Sequence, residues 1–282
     1  MKLQANEVVL ITGCGSGIGK ALARAFHRQG FLVCATARRL PTMDDLEREG
    51  IQTRALDVTQ AQDIQRVLSQ LKLDGRSVGM LVNNAGYGAM GPLLDLPEDE
   101  WQKQFNVNVF APMALTRAVL PGMIERGRGT VVNISSVSGV MPTPFAGAYC
   151  ASKAALNALS DSLRMELRPL GIDVVTVQPG GIQSSFGDRA AEDVKLAPNS
   201  PYQPIRAGVL ARANDSQSNA TPAGVFASAL VQQLERAHPP AVIRLGDKST
   251  LLPMMKQWLP TALLDRILSA RFQLDRLSAR KS

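Results

Sequence analysis

Apolar runs rich in β-branched residues recur at 8–12, 31–37, 51–55, 80–83, 130–134, 173–177 and 241–245, and stretches with helical periodicity separate them at 17–29, 59–71, 98–126, 148–170 and 222–236. No other feature limits the fold so strongly. The runs lack a consistently polar face, so their strands are covered on both sides, and strand, helix and strand in succession require crossover connections and parallel pairing. The expected fold class is α/β: a doubly wound parallel sheet of about seven strands with helices on both faces. No Pro/Gly/Ser-rich linker and no internal repeat divides the 282 residues, which read as one domain, 1–282.

The alternation is weakest from 183 to 221, where Ser184-Ser185, Pro198-Asn199-Ser200-Pro201 and the polar stretch 214–219 accumulate turn formers. This segment is expected to be a mobile substrate lid with little regular structure. Beyond the last strand, residues 246–282 are expected to form a helical C-terminal extension. Its large apolar side chains, among them Leu251, Met254, Trp258, Leu264 and Leu268, are mixed with cations. Two readings follow: the apolar residues pack on the substrate region or a partner subunit, or the helix makes peripheral contact with a membrane surface.

The net charge is +7, and five of those units come from residues 240–282, where eight Lys and Arg stand against three Asp. The charge therefore belongs to the tail, and with an aromatic content of 5% and no recognition-helix motif a nucleic-acid partner is not expected. The first residues lack a basic stretch leading into a long apolar run, and no uninterrupted apolar stretch approaches the roughly 20 residues that span a bilayer. Cys14, Cys34 and Cys150 lack C-x-x-C spacing and suit buried thiols in a reducing compartment, so the cytoplasm is the expected location. His27 and His238 fit no catalytic or ligand spacing, and no metal is expected.

The first run leads through Thr12-Gly13-Cys14-Gly15-Ser16-Gly17-Ile18-Gly19 into a helical stretch, which aims backbone N–H groups and a helix N-terminus at a phosphate. Gly13, Gly17 and Gly19 give G-x-x-x-G-x-G and not G-x-G-x-x-G. A plain glycine-rich turn is the alternative, disfavoured by the position between a strand and a helix. Where the second run ends, a carboxylate would bind the ribose 2'-hydroxyl of NAD, and this chain has Ala37-Arg38-Arg39. A guanidinium instead pairs with a 2'-phosphate through charge-assisted hydrogen bonds of about 1.5–3 kcal/mol. NADP(H) is thus the expected cofactor, with Arg38 reading the 2'-phosphate; a solvated loop is the alternative.

Leu56-Asp57-Val58 closes the third run and Asn83-Asn84-Ala85-Gly86 the fourth, at the strand carboxyl ends where open α/β sheets bind ligands. Asp57, Val58, Asn84, Ala85 and Gly86 are therefore expected to line the cofactor groove. Taken singly, Asp57 reads as the neighbour of a helix N-cap and the two asparagines as a turn.

Tyr149 and Lys153 lie four apart in Ala148-Tyr149-Cys150-Ala151-Ser152-Lys153 at the start of a helix, so their side chains share a face. A phenol near its ordinary pKa of about 10 is a poor base at neutral pH, and a cation beside it favours phenolate by about 1–3 units. Ser136, at the end of the fifth run, can hold a substrate oxygen as charge develops there, with Ser135 the less favoured neighbour. An isolated Y-x-x-x-K would be no more than a surface pair; in combination with the other motifs it points to chemistry.

Together, Thr12-Gly13-x-x-x-Gly17-Ile18-Gly19, Asn83-Asn84-Ala85-Gly86, Asn108, Ser136 and Tyr149-x-x-x-Lys153 resemble the short-chain dehydrogenase/reductase superfamily over residues 7 to about 185. The resemblance implies a Rossmann-type domain with a catalytic tetrad of Asn108, Ser136, Tyr149 and Lys153. Tyr149 would exchange the proton, Lys153 would lower its pKa and hold the nicotinamide ribose, Ser136 would polarise the carbonyl, and Asn108 would anchor a proton-relay water. Pro179-Gly180-Gly181-Ile182-Gln183-Ser184 is similar to the family's P-G-x-I-x-T segment, with Ser184 in place of Thr, so Pro179, Gly180, Ile182 and Ser184 join the implied cofactor contacts.

Arg38, Tyr149-Cys150-Ala151-Ser152-Lys153 and the extended C-terminus look most like the NADP-dependent retinol and 17β-hydroxysteroid dehydrogenases and related bacterial aldehyde reductases. The expected activity is hydride transfer between NADP(H) and a lipophilic aldehyde, ketone or alcohol: a retinoid, a steroid or a medium-chain carbonyl. Met90, Leu93, Met141, Phe145 and Phe186 offer apolar pocket material. Reduction of a 3-oxoacyl thioester and a non-catalytic NADP-sensing binding protein are the alternatives. A homo-oligomer, dimer or tetramer, is expected through the small-residue helix 148–163, which resembles the one many relatives use.

Overall fold

The computed structural model describes residues 3–277. Its strands are β1 (Glu7–Thr12), β2 (Leu32–Ala37), β3 (Gln52–Ala55), β4 (Ser77–Asn83), β5 (Gly129–Ile134), β6 (Ile172–Pro179) and β7 (Val242–Leu245). All pair in parallel, in the order β3-β2-β1-β4-β5-β6-β7. The expected doubly wound α/β sheet is the one observed. Strand order reverses between β1 and β4, and the carboxyl ends on either side of such a switch point open a crevice for a ligand.

The helices are α1 (Gly17–Arg28), α2 (Asp44–Arg48), α3 (Ala61–Leu73), α4 (Glu98–Phe105), α5 (Ala111–Glu125), α6 (Gly147–Leu167), α7 (Ser185–Glu192), α8 (Arg206–Asn214), α9 (Ala223–Leu234), α10 (Leu251–Trp258) and α11 (Thr261–Arg271). On one face of the sheet Leu22 and Phe26 of α1 and Phe226 and Leu230 of α9 pack against Val9, Ile11, Val132 and Val175. On the other, Ile64, Val67 and Leu71 of α3, Leu115 and Val119 of α5 and Leu163 of α6 cover Leu10, Leu81 and Val131. Alternate residues of each strand thus feed opposite cores, which is why the runs carry no polar face.

The helical stretch expected at 98–126 is interrupted by a π-helical turn, Asn106–Phe110, between α4 and α5. One extra residue in the turn re-aims Asn108, a device common at functional sites. The same run, Glu98–Glu125, is 28 residues long with a mean hydropathy of 1.4 in its most apolar window, so by length and composition it is apolar enough to cross a membrane. The run is still not uninterrupted, since Asn106, Asn108, Thr116 and Arg117 lie within it. Here Leu115, Val119 and Met123 are buried against the sheet.

Residues 183–221 hold more regular structure than their turn formers suggest, namely α7 and α8. Val209, Arg212 and Ala213 of α8 are buried, and Gly208 lies where a Cβ would collide with the backbone carbonyl of Phe272, so α8 presses closely on the C-terminal extension. Packing onto the extension overrides local turn propensity. The extension is helical as expected, with 278–282 lying outside the described residues. Leu264, Leu268 and Phe272 pack with Ile205 and Val209, as one reading of these apolar residues required. Leu251, Met254, Trp258, Leu263 and Ile267 stay exposed.

Candidate active site

The glycine turn after β1 is built for close approach. Gly13 and Gly17 have φ of 74° and 55°, a region costly for other residues. A Cβ on Gly13 would come 2.8 Å from Ala85 Cα, and one on Gly17 2.9 Å from Ser184 Cβ. The turn leads into the N-terminus of α1, whose first turn carries no acidic residue. At the end of β2, Arg38 and Arg39 are exposed. A glycine turn that lets a ligand approach the backbone, a helix N-terminus, and cations without a carboxylate at the strand end fit a dinucleotide bearing a 2'-phosphate.

Asn84 and Ala85 brace this turn. The Asn84 side-chain amide donates to the Thr12 and Gly13 carbonyls at 2.8 and 3.3 Å, and the Thr12 hydroxyl accepts from the N–H groups of Asn84 and Ala85 at 3.0 and 2.9 Å. Asn83 instead enters a buried network, donating to Asn133 Oδ1 at 2.8 Å and Thr116 Oγ1 at 3.2 Å. The Asp57 carboxylate accepts from the backbone and hydroxyl of Thr59 at 3.0 and 2.7 Å, and Val58 is buried in the core beneath α3. The Val58 side chain serves the core and Asp57 Oδ1 the β3–α3 turn, where the Asp57 N–H also donates to Asp63 Oδ2 at 2.9 Å and its carbonyl accepts from the Gln60 N–H at 3.0 Å. Ser184 touches the glycine turn through Gly17 and donates its N–H to Gln217 Oε1 at 3.1 Å. Ile182 is buried in the core. Beside Pro179 at the end of β6, the Gly180 N–H donates to the Leu245 carbonyl at 2.9 Å.

Beyond the glycine turn, Asn108, Ser136, Tyr149 and Lys153 come together. Ser136 follows β5, where its Oγ accepts from the Ser138 N–H at 3.0 Å and its hydroxyl acts on the Tyr149 phenol, favouring the phenolate. Ser135 faces elsewhere, donating to the Lys153 carbonyl at 3.2 Å. Lys153 Nζ lies 5.9 Å from the centre of the Tyr149 ring and donates to the Ile134 carbonyl at 2.8 Å. Asn108 donates to Ser152 Oγ at 3.0 Å, and Ser152 donates in turn to the Tyr149 carbonyl at 2.8 Å. Gly86 completes the group: a Cβ there would stand 3.1 Å from Asn108 Oδ1 and 3.6 Å from Lys153 Nζ.

A family profile described as short chain dehydrogenase matches residues 7–195. This chain belongs to that family. Short-chain dehydrogenase cctT of Talaromyces islandicus is 37% identical over 279 residues, 97% of this chain and 98% of its own. An NADPH-dependent 1-acyldihydroxyacetone phosphate reductase of Schizosaccharomyces pombe is 38% identical over 237 residues, 82% of this chain and 79% of its own. The crystal structure of a short-chain dehydrogenase from Streptomyces avermitilis superimposes with a TM-score of 0.78 at 30% identity, covering 96% of this chain and 98% of that one. As a short-chain dehydrogenase/reductase the protein is an oxidoreductase of CH–OH and C=O groups, and the alternative of a non-catalytic sensor is set aside.

The electrostatics of this short-chain dehydrogenase site differ from the sequence expectation. Burial pushes the Tyr149 phenol up to about 12, while the Ser136 hydrogen bond and the Arg212 charge pull it back. Burial also brings the Lys153 ammonium down to about 8. The cation that draws the phenol down is thus Arg212 of α8, which no motif marked, and not the expected Lys153, whose ammonium lies 5.9 Å from the ring centre. The only trace of Arg212 in the sequence is helical spacing, since Val209, Arg212 and Ala213 fall on one buried face.

The apolar surroundings sort the expected pocket residues. Met90, Ala146, Cys150, Ala190 and Ala213 cluster around Tyr149, and the Phe186 ring centre lies 5.5 Å from that of Tyr149. Met141 and Phe145 pack instead with α8 and the C-terminal extension, and Leu93 is exposed. Phe145 holds φ of 61°, a strained value for an aromatic residue, four positions before Tyr149.

Proposed function

We propose that this short-chain dehydrogenase/reductase reduces a lipophilic ketone or aldehyde, a medium-chain carbonyl, a retinoid or a steroid, with Tyr149 as proton donor. The observation that carries the reading is the buried Tyr149 ring, walled by Met90 and by Phe186 at 5.5 Å, with Lys153 Nζ 5.9 Å from its centre and Ser136 acting on its phenol. The cofactor is NADP(H), which supplies the hydride when bound. Arg38 would hold its 2'-phosphate, the Gly13–Gly19 turn with Gly15, Ser16 and Ile18 its pyrophosphate, and Lys153 and Ser184 its nicotinamide half.

During reduction the Ser136 hydroxyl donates to the substrate oxygen as negative charge grows on it, and Tyr149 gives that oxygen its proton. The raised pKa suits this direction, because the phenol stays protonated across neutral pH. Asn108, fixed by Ser152 and Tyr87, holds the π turn against α6 and offers the anchoring point for a relay water. A relative named for reducing 1-acyldihydroxyacetone phosphate supports a ketone with an acyl chain.

The reading includes a homo-oligomer, dimer or tetramer, which the exposed Phe110 between α4 and α5 supports. It also places the enzyme in the cytoplasm, where buried free Cys14, Cys34 and Cys150 stay reduced. Peripheral contact with an anionic membrane surface is offered for the exposed Leu251, Met254 and Trp258 beside Lys256.

The test follows cofactor absorbance with NADPH and NADH against decanal, retinal, a 17-ketosteroid and an acetoacetyl thioester, with Tyr149→Phe alongside. NADPH oxidation that needs Tyr149 and favours the lipophilic carbonyls is the expected result. Undiminished turnover by the Phe variant would remove Tyr149 from the chemistry, and preference for the thioester would replace the substrate class.

A further inference from the structure

Arg212 projects from α8 into the interior and is only 6% exposed. Its Nε donates to the Thr143 hydroxyl at 2.5 Å, and among the described residues it enters no ion pair. One of its five N–H donors is therefore satisfied by that hydroxyl, and its charge has no counter-ion among the described residues. The next residue, Ala213, packs in the same cluster as Tyr149, Met90 and Cys150. The positive charge of Arg212 is near enough to draw the Tyr149 phenol downward. A buried cation without an opposite charge is strongly unfavourable unless something else in the site compensates it. Its planar fork matches a carboxylate or a phosphate in two parallel hydrogen bonds.

We propose that Arg212 reads an anionic group, carboxylate or phosphate, carried by the substrate a few bonds from the reacting carbonyl. The substrate is then amphipathic: an apolar chain against Met90 and Phe186, a ketone at Tyr149 and Ser136, and a charged head at Arg212. The inference rests on the assignment of Tyr149 as proton donor and narrows the substrate class within it. A role confined to tying α8 to Thr143 would explain the hydrogen bond but not a buried charge that has no counter-ion among the described residues.

Three ketones of matched chain length separate the possibilities: neutral 2-decanone, 4-oxodecanoate and 2-oxodecyl phosphate. For each, kcat/KM with NADPH is measured for wild type, Arg212→Met and Thr143→Val, and the readout is the ratio of anionic to neutral ketone within each protein, so that a general loss of activity cancels. Wild type is expected to favour at least one anionic ketone by roughly tenfold to a hundredfold, the scale of a charge-assisted pair. Which anion is preferred distinguishes carboxylate from phosphate. Arg212→Met should bring the ratio to about one, with Arg212→Gln in its place if the Met variant does not fold, and Thr143→Val should keep the wild-type preference. Equal ratios in wild type and the Arg212 variant, or no wild-type turnover of either anionic ketone, would overturn the inference. Tyr149→Phe that still turns over these ketones would instead overturn the assignment on which it rests.

Discussion

Lys153 Nζ donates to the Ile134 carbonyl at 2.8 Å, at the end of β5, while lying 5.9 Å from the centre of the Tyr149 ring. The carbonyl fixes the ammonium without neutralising it, and burial lowers the lysine from its ordinary 10.5 to about 8. Below about pH 8 the folded and unfolded chains both carry the proton and the full burial penalty is present. Between about pH 8 and 10.5 the unfolded chain still binds the proton and the folded chain has released it, so stability rises with pH through that window. In the cofactor-free protein this contributes about 2–3 kcal/mol over the interval. Urea melts of wild type and Lys153→Met at several pH values read the difference directly. The stability of wild type relative to Lys153→Met should rise toward pH 10; a difference that does not change with pH would mean that Lys153 keeps an ordinary pKa.

Ser136 acts on two partners, accepting from the Ser138 N–H at 3.0 Å and drawing the pKa of the Tyr149 phenol down. Ser136→Ala loses both. The turn should cost about 1 kcal/mol, as with a lost N-cap. Loss of the donor to the developing oxyanion should lower kcat by roughly a hundredfold to a thousandfold. Because the Ser136 hydroxyl holds the phenol down, its removal should also move the limb of the alcohol-oxidation pH profile that depends on phenolate to higher pH. Ser136→Thr keeps the hydroxyl and should recover most of the rate. An Ala variant that lost stability but kept wild-type kcat would confine Ser136 to its turn.

At the end of β2, Arg38 is exposed, in a sequence that has no carboxylate at that strand end. Arg38→Asp should weaken NADPH binding by roughly tenfold to a hundredfold, from the loss of a charge-assisted pair and the added repulsion, and shift the preference to NADH. Titration of each cofactor against the intrinsic fluorescence of Trp101 and Trp258 measures both affinities without turnover. Unchanged selectivity would leave Arg38 as a solvated loop residue.

Much of this architecture is written locally. The strand runs are rich in β-branched residues, and the Gly13–Gly19 turn and the Tyr149–Lys153 spacing are short-range patterns with a single structural outcome. What escaped the sequence depends on contacts between distant segments. Helix α8 forms because Val209 and Ala213 are covered by the extension and by the Tyr149 cluster, which turn propensities at 198–219 do not encode. Arg212 is invisible for the same reason, since an arginine on a short helix is ordinarily solvated. Asp57 shows a local case: it stands at a strand end where ligands bind, and its Oδ1 also braces Thr59 two residues on.

Gly19 joins the fold and the cofactor loop most tightly. A Cβ there would collide with the side-chain amide of Asn84 and stand 2.5 Å from the Gly13 carbonyl oxygen, so Gly19→Ala must open the turn that Asn84 braces. Overpacking of this kind costs about 1–3 kcal/mol. Because the strain falls on the turn after β1, NADPH affinity should drop at least as steeply as stability. Gly224, exposed at the start of α9 with no atom within 4 Å of where a Cβ would stand, is the matched control. Gly224→Ala should leave cofactor binding intact and stabilise the helix by up to about 1 kcal/mol. Melting and NADPH titration of the two variants side by side test the assignment: wild-type affinity in Gly19→Ala would mean that the turn relaxes without involving the phosphate site, and the role given to the glycine loop would fail.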